Sequence, residues 1–464
     1  MDAGYWGELL RPVLTGRRVI VTGGPVAGLV SRARLARSLG SERPFILGNE
    51  GTGTGELPTP DEAETYALDV DTMASTIMDA MRAGAAALAD LPAEARAALD
   101  RYDPDRSALV LGSFLNELPS VAGRPCLAHR RPEWVALEDK VTVDELWDRA
   151  GVPRAPSEVV PARMDALRSA ADRLDHGAGT VWVGDAREGF HGGGEYARWI
   201  RQPADVDDAA AFLAAHCDTA RVMPFLEGIP CSVHGLVFAD HVAAFRPIEM
   251  ITLRRPGSSQ LFYAGAASYW DPPADDRGQM RAAVRRVGTV LRDDVGFRGP
   301  FTIDGVMTEH GFRPTELNPR SGAGLNTMAT AIADIPLTLL HDAVCAGLPL
   351  DFRPHDLEAT ILERADATRG GGTWRAVTTP VRPLGEAAVV RDGADYRWAR
   401  GDERPDGWVT AGPSPLGSFI RFTLNPETTP VGDPVGPLAV AFYRFTDAEL
   451  GTDIGPLEAA PVTR

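Results

Sequence analysis

The stretch that most restricts the fold is FTIDGVMTEHGFRPTELNPR, residues 301–320. Two runs with strand-like alternation flank TEHG, residues 308–311, where Gly311 can supply the positive φ of a tight turn. The pattern predicts an antiparallel hairpin centred near His310. In such a hairpin Asp304 lies opposite Glu316 on one face, and Asn318 and Arg320 follow Glu316 at i+2 and i+4. Facing carboxylates repel unless a cation lies between them. An all-oxygen set suits Mg²⁺, which commonly takes one or two protein carboxylates together with nucleotide phosphates. Asp304, Glu316 and Asn318 are therefore candidate metal ligands, and Arg320 is a candidate to bind an oxygen of a phosphoryl group in transfer. A salt-bridged edge hairpin is the plainer alternative. The ordered acid-x-amide-x-arginine pattern and the SGAGLN that follows it argue against that alternative.

The rest of the chain divides around this hairpin. RRVIVTGG, LVSRARLARSLG and RPFILG read as strand, helix and strand, followed by an Ala-rich helical region from Met73 to Leu99 and the strand SALVLGSF. Residues 1–130 thus form a small α/β domain. Its GGPVAG is neither GxGxxG nor a Walker loop and reads as a structural turn. From Asp139 a helix is predicted to run to Gly151. A strand GTVWVGD, a Gly-rich loop, a helix and several strands lead to the hairpin, giving a mixed α+β unit over 131–369. Beyond Gly370–Gly372, which reads as a linker, residues 370–464 form a small β-rich module. The overall class is α/β (α+β).

Charge and cysteines narrow the function. The formal net charge is −17, so general binding to nucleic acid or an anionic membrane is not expected. Four separated cysteines without a CxxC pair suggest reduced thiols. No apolar run reaches a membrane-spanning length and the start lacks a basic n-region, so a cytoplasmic protein is expected. Lys140 is the only lysine beside 46 arginines. GC-rich coding accounts for the missing lysines but not for the one retained.

With Asp304, Glu316, Asn318 and Arg320 in that order, the chain resembles the ATP-grasp superfamily from about Asp139 to Leu340, and the domain in front resembles a pre-ATP-grasp domain. SVHGLVF, FRPIEMITLRRPGSSQLFYAGAASYWDPP and the C-terminal module look most like pheganomycin-type peptide ligases. The resemblance implies ATP and Mg²⁺ as cofactors, with Arg320 and Arg255 near the chemistry. It implies that Lys140, in its Asp-Lys context, reaches the ATP phosphates, as does the flexible loop with Gly192, Gly193 and Gly194. Met223, Phe225 and Leu226 would form the adenine hinge, and Glu227 would bind the ribose, although relatives often carry that acid just after the glycine. His191 reads as an exposed loop residue and His234 as a core histidine.

One stretch departs from the pattern. Where relatives carry a second phosphate lysine, this chain has Val183, Gly184 or Asp185, leaving Arg187 or Arg198 to compensate. Arg254 and Arg255 would replace a later lysine. The implied activity is ATP-dependent carboxylate–amine ligation through an acyl phosphate, joining a small-molecule carboxylate to an amine or peptide in specialised metabolism, with a homodimer expected. Ligation of a non-peptide amine, phosphoryl transfer without ligation and a degenerate nucleotide-binding protein are the alternatives.

Overall fold

A computed structural model describes residues 3–49, 53–70, 76–189 and 191–461. The N-terminal unit carries four parallel strands in the order Glu64–Leu68, Phe45–Asn49, Val19–Pro25, Leu109–Leu111. Val19 and Val21 pack on one side with helix Val26–Ser38, while Ile20 packs on the other with helix Ala93–Tyr102. Helices on both faces explain why this strand is continuously apolar. The GGPVAG turn is tight: Gly23 has φ +95°, and a Cβ there would lie 2.6 Å from that of Ser113. The Ala-rich region forms two helices, Ile77–Ala89 and Ala93–Tyr102, rather than one. Pro92 separates them, since it has no N–H to continue the ladder and pushes Leu91 out of helical conformation. Residues 73–75 lie outside the described residues.

The second sheet is antiparallel, in the order Glu158–Pro161, Thr219–Pro224, Thr180–Gly184, Ala197–Ile200. Helices Met164–Leu174 and Ala204–His216 pack on it around Trp182.

The third sheet has eleven strands among the described residues. It begins at the edge with Gly311–Asn318 and continues through Gly299–Thr308, Ile229–Val237, Ile248–Arg254 and Leu261–Ala267. It then runs without interruption into Gly371–Val377, Gly417–Leu424, Gly407–Ser414, Leu384–Asp392 and Asp395–Trp398, while Val242–Ala244 pairs onto Ile229–Val237. Of the glycines expected to link the C-terminal module, Gly371 and Gly372 are strand residues instead. A Cβ at Gly372 would lie 1.9 Å from the Phe422 carbonyl oxygen, so only glycine permits this strand approach.

One face of the large sheet packs on helix Ala274–Val295 at the hairpin end and on helix Gly436–Leu450 at the other. The buried Glu249 carboxylate accepts the N–H groups of Val435 and Gly436, satisfying two donors at the start of the terminal helix. The opposite face meets helices Ala323–Ala331 and Leu337–Cys345 and shares a core with the N-terminal unit. All four cysteines are free thiols. Among the described residues no helix is long and apolar enough to cross a membrane.

Candidate functional site

The hairpin forms as expected: Thr302 pairs with Asn318 and Asp304 with Glu316. The register at its tip, however, pairs Gly305 with Pro314. Continued unchanged, it would place Asp304 opposite Thr315 and send Glu316 to the other face. A β-bulge at Thr315 inserts the extra residue that brings the two carboxylates together. The Thr315 hydroxyl donates to the Asp304 carbonyl at 3.2 Å, and its own carbonyl accepts from Arg221 at 3.0 Å. The strand ends at Asn318, so Arg320 lies in the bend just beyond it rather than within the strand. There its Nη1 donates to the Ser321 carbonyl at 3.3 Å.

Around this pair the charges form one network. Asn318 Nδ2 donates to Asp304 Oδ2 at 2.8 Å, and Asn318 Oδ1 accepts from Arg320 Nη2 at 2.8 Å. Arg320 Nε also donates to Glu138 at 2.5 Å, and Glu138 accepts in turn from Arg130 at 2.5 Å. Lys140 lies in the turn before helix Val143–Arg149, which is shorter than expected, and its ammonium is 3.3 Å from Glu316. The same ammonium is 3.4 Å from His191 Nδ1. His191 is buried rather than exposed, stacked on Tyr196 at a centroid distance of 4.2 Å. Burial and the Lys140 charge push its pKa down to about 3, so the ring is neutral. His234 is a core histidine, bonded to Ser232 and Thr302.

The residues present fit a hard cation. Asp304 Oδ1 is buried and has no hydrogen-bond partner, although its other oxygen is bonded. Burial and the facing Glu316 hold the Asp304 carboxyl above the usual carboxylate range. Among the described residues no group of three or more His, Cys, Asp or Glu forms a complete metal cage. Two carboxylates and an amide, with phosphate and water completing the shell, are the donor set Mg²⁺ commonly uses.

The Gly-rich loop leaves backbone donors open. Gly193 and Gly194 have φ of +61° and +79°. The N–H groups of Gly192, Gly193 and Gly194 have no acceptor among the described residues. Phe190, at the start of this loop, lies outside the described residues. Arg82 of helix Ile77–Ala89 reaches Glu195 at 3.2 Å and so ties the loop to the N-terminal unit.

Other expected residues are placed elsewhere. Arg187 turns to Asp218 and the Ala215 carbonyl, and Arg198 lies 3.8 Å over the Phe212 ring. Neither joins Lys140, because acids, carbonyls and rings of their own subdomain hold them. Arg255 stacks over Phe262, on the face that packs against the terminal helix and away from Asp304. At the hinge Met223 is buried, and the Phe225 N–H is committed to the Gly179 carbonyl at 2.9 Å. Phe225 stacks on Trp199 at 3.9 Å, with the Arg254 guanidinium 5.1 Å from each ring. Leu226 follows, and the Glu227 carboxylate pairs with Arg254 at 2.5 Å instead of standing free for a ribose. Arg82, Glu138 and Arg130 carry no motif that could single them out.

Two of the three positions considered for the second lysine are committed to other contacts. A Cβ at Gly184 would lie 2.2 Å from Cys217 Sγ and 3.1 Å from Leu213. Asp185 is occupied in accepting the N–H groups of Asp218 and Thr219.

Solved structures with the same fold are ATP-grasp enzymes. The biotin carboxylase–β-γ-ATP complex from Campylobacter jejuni has a TM-score of 0.55 and 12% identity, covering 88% of this chain and 86% of that chain. The biotin carboxylase domain of a thermophilic 2-oxoglutarate carboxylase, bound to bicarbonate, has a TM-score of 0.51 and 12% identity over 96% of this chain and 91% of that chain. A weaker likeness, to phosphoribosylamine–glycine ligase from Thermotoga maritima, has a TM-score of 0.49 and 13% identity over 88% of this chain and 91% of that chain. No protein-family model matches the sequence, and no curated protein matches it.

Gly184→Ala is expected to lower the unfolding free energy by about 1–3 kcal/mol, with Cys217→Ala in the same chain recovering part of the loss in denaturant titrations. Unchanged stability would mean that the strand and the Cys217 helix end are not in contact. Lys140→Ala is expected to weaken ATP binding by about tenfold or more, with a smaller effect from Arg187→Ala. Calorimetric titration checks the order, and equal effects would remove Lys140 from the phosphate site.

Proposed function

Starting from a chain with the ATP-grasp fold, we propose an ATP-dependent carboxylate–amine ligase that forms a peptide or related amide bond through an acyl phosphate. The carrying observation is the convergence of Asp304, Glu316, Asn318, Arg320 and Lys140, with Asp304 Oδ1 buried and unpartnered. A protein that only bound nucleotide would not need to pair two carboxylates and two cations in this way.

In the proposed reaction a substrate carboxylate oxygen attacks the γ-phosphorus of ATP and ADP leaves. The amine nitrogen then bonds to the acyl carbon, the carbon–oxygen bond to phosphate breaks, and the nitrogen loses a proton. Asp304, Glu316 and Asn318 would hold Mg²⁺, which supplies charge neutralisation on the phosphates. Arg320 is held by Glu138 and Asn318, so its guanidinium is fixed before substrate arrives. Lys140 offers a compact ammonium to a phosphate oxygen, and the open N–H groups of Gly192, Gly193 and Gly194 offer hydrogen bonds. The finer assignment, to pheganomycin-type peptide ligases of specialised metabolism, rests on the sequence resemblance.

The test is incubation with ATP, Mg²⁺ and a pool of carboxylates and amines, read by mass spectrometry and nucleotide analysis. Amide product with ADP and phosphate is expected. AMP and pyrophosphate would instead indicate adenylation and overturn the acyl-phosphate mechanism.

A further inference from the structure

The sheet face that carries Asp304 and Glu316 continues into the C-terminal strands. Met250 pairs with Ala266, and Thr252, two residues along, pairs with Tyr263 across a bulge. Ala266 pairs with Gly372, and Trp374, next on that face, pairs with Arg421, which pairs with Thr410. The other face is closed, with Phe262, Ile420 and Phe422 packed against Phe442 and Tyr443.

Three groups on the open face lack ordinary partners or form a wall. The Tyr263 hydroxyl is buried without a hydrogen bond, within electrostatic reach of Asp304 and Arg320. The Trp374 ring stands edge-on to Tyr263 at 6.2 Å. The Arg421 side chain makes no hydrogen bond or ion pair among the described residues. Arg391, Arg397, Arg404 and Arg444 of the same module are each paired with an acid, whereas the exposed Arg382 and Arg400 have no ion pair among the described residues. The Arg421 side chain reaches solvent, yet surrounding protein disfavours its charge and lowers its pKa. At the far end, the N-terminal unit meets this sheet: Gly53 N–H donates to the Pro413 carbonyl at 2.8 Å.

We propose that Tyr263, Trp374 and Arg421 form the acceptor subsite, with the Arg421 guanidinium binding the terminal carboxylate of a short peptide whose amine is the nucleophile. The peptide's role as acceptor rests on the ligase reading above. Guanidinium and carboxylate match as a two-pronged pair. Arg421 lies two strands from Tyr263, about 10 Å at ordinary strand spacing. An extended chain covers about 3.3–3.6 Å per residue, so about three residues span Tyr263 to Arg421, and the amine end continues from Tyr263 across the intervening strands toward Asp304 and Arg320.

The experiment is retention of a pool of peptides of about three to eight residues, with free and amidated C-termini, in the presence of Mg²⁺ and ADP, by ultrafiltration and mass spectrometry. Wild type is expected to favour free carboxylates about tenfold, Arg421→Gln to lose the preference, and Arg421→Lys to recover part of it. A ratio near one in wild type, or an unchanged ratio in Arg421→Gln, overturns the subsite. Selective retention without any ligated product on adding ATP and a carboxylate pool would leave the subsite standing and remove the ligase reading. Product formed equally from free and amidated peptides would do the reverse.

Discussion

One buried contact organises the site: Arg221 holds the β-bulge at Thr315. Its guanidinium is almost fully buried, forms two bonds to the Asp144 carboxylate and donates to the Thr315 carbonyl. Three pieces of chain are thereby fixed together: the strand before the hinge, the helix after Lys140, and the hairpin with Asp304 and Glu316. Without the bulge, the period-two alternation of the strand would turn Glu316 from Asp304. Desolvating the ion pair is costly, and removing one partner from such a pair typically costs about 3–5 kcal/mol. The pair therefore fixes geometry more than it adds net stability.

The charge balance at the hairpin follows from that geometry. Two carboxylates in one register position are unfavourable, and the chain offsets them with Lys140 on Glu316 and Arg320 beside Asn318. Arg320 is itself balanced by Glu138, and Glu138 by Arg130. One oxygen of Asp304 is left over, buried and unpartnered. A buried acceptor without a donor is costly unless a ligand satisfies it, which is the ground for proposing a cation there.

How much is legible in the sequence depends on whether the signal is local. Strand alternation and the Gly311 turn point to the pairing of Asp304 with Glu316, although the bulge that secures it leaves no local mark. The approach of Lys140 to Glu316 joins distant parts of the chain and has no local signal; the resemblance implies only that Lys140 reaches the ATP phosphates. The partners of Arg187, Arg255 and Glu227 are not legible, because a long charged side chain takes whichever partner the folded neighbourhood offers. The continuous sheet is hidden because Gly370–Gly372 reads as a linker, while in the fold Gly371 and Gly372 allow strands to approach closely. The burial of His191 escapes for a related reason: it depends on stacking against Tyr196 in three dimensions.

The central claim is that Asp304 and Glu316 hold a cation shared with nucleotide phosphates. The most direct measurement is the affinity for ADP with and without Mg²⁺, in wild type and in Asp304→Asn. Mg²⁺ should tighten binding in wild type and have little effect in a folded Asp304→Asn protein. Metal-independent binding in wild type, or the same Mg²⁺ response in both proteins, would contradict the account.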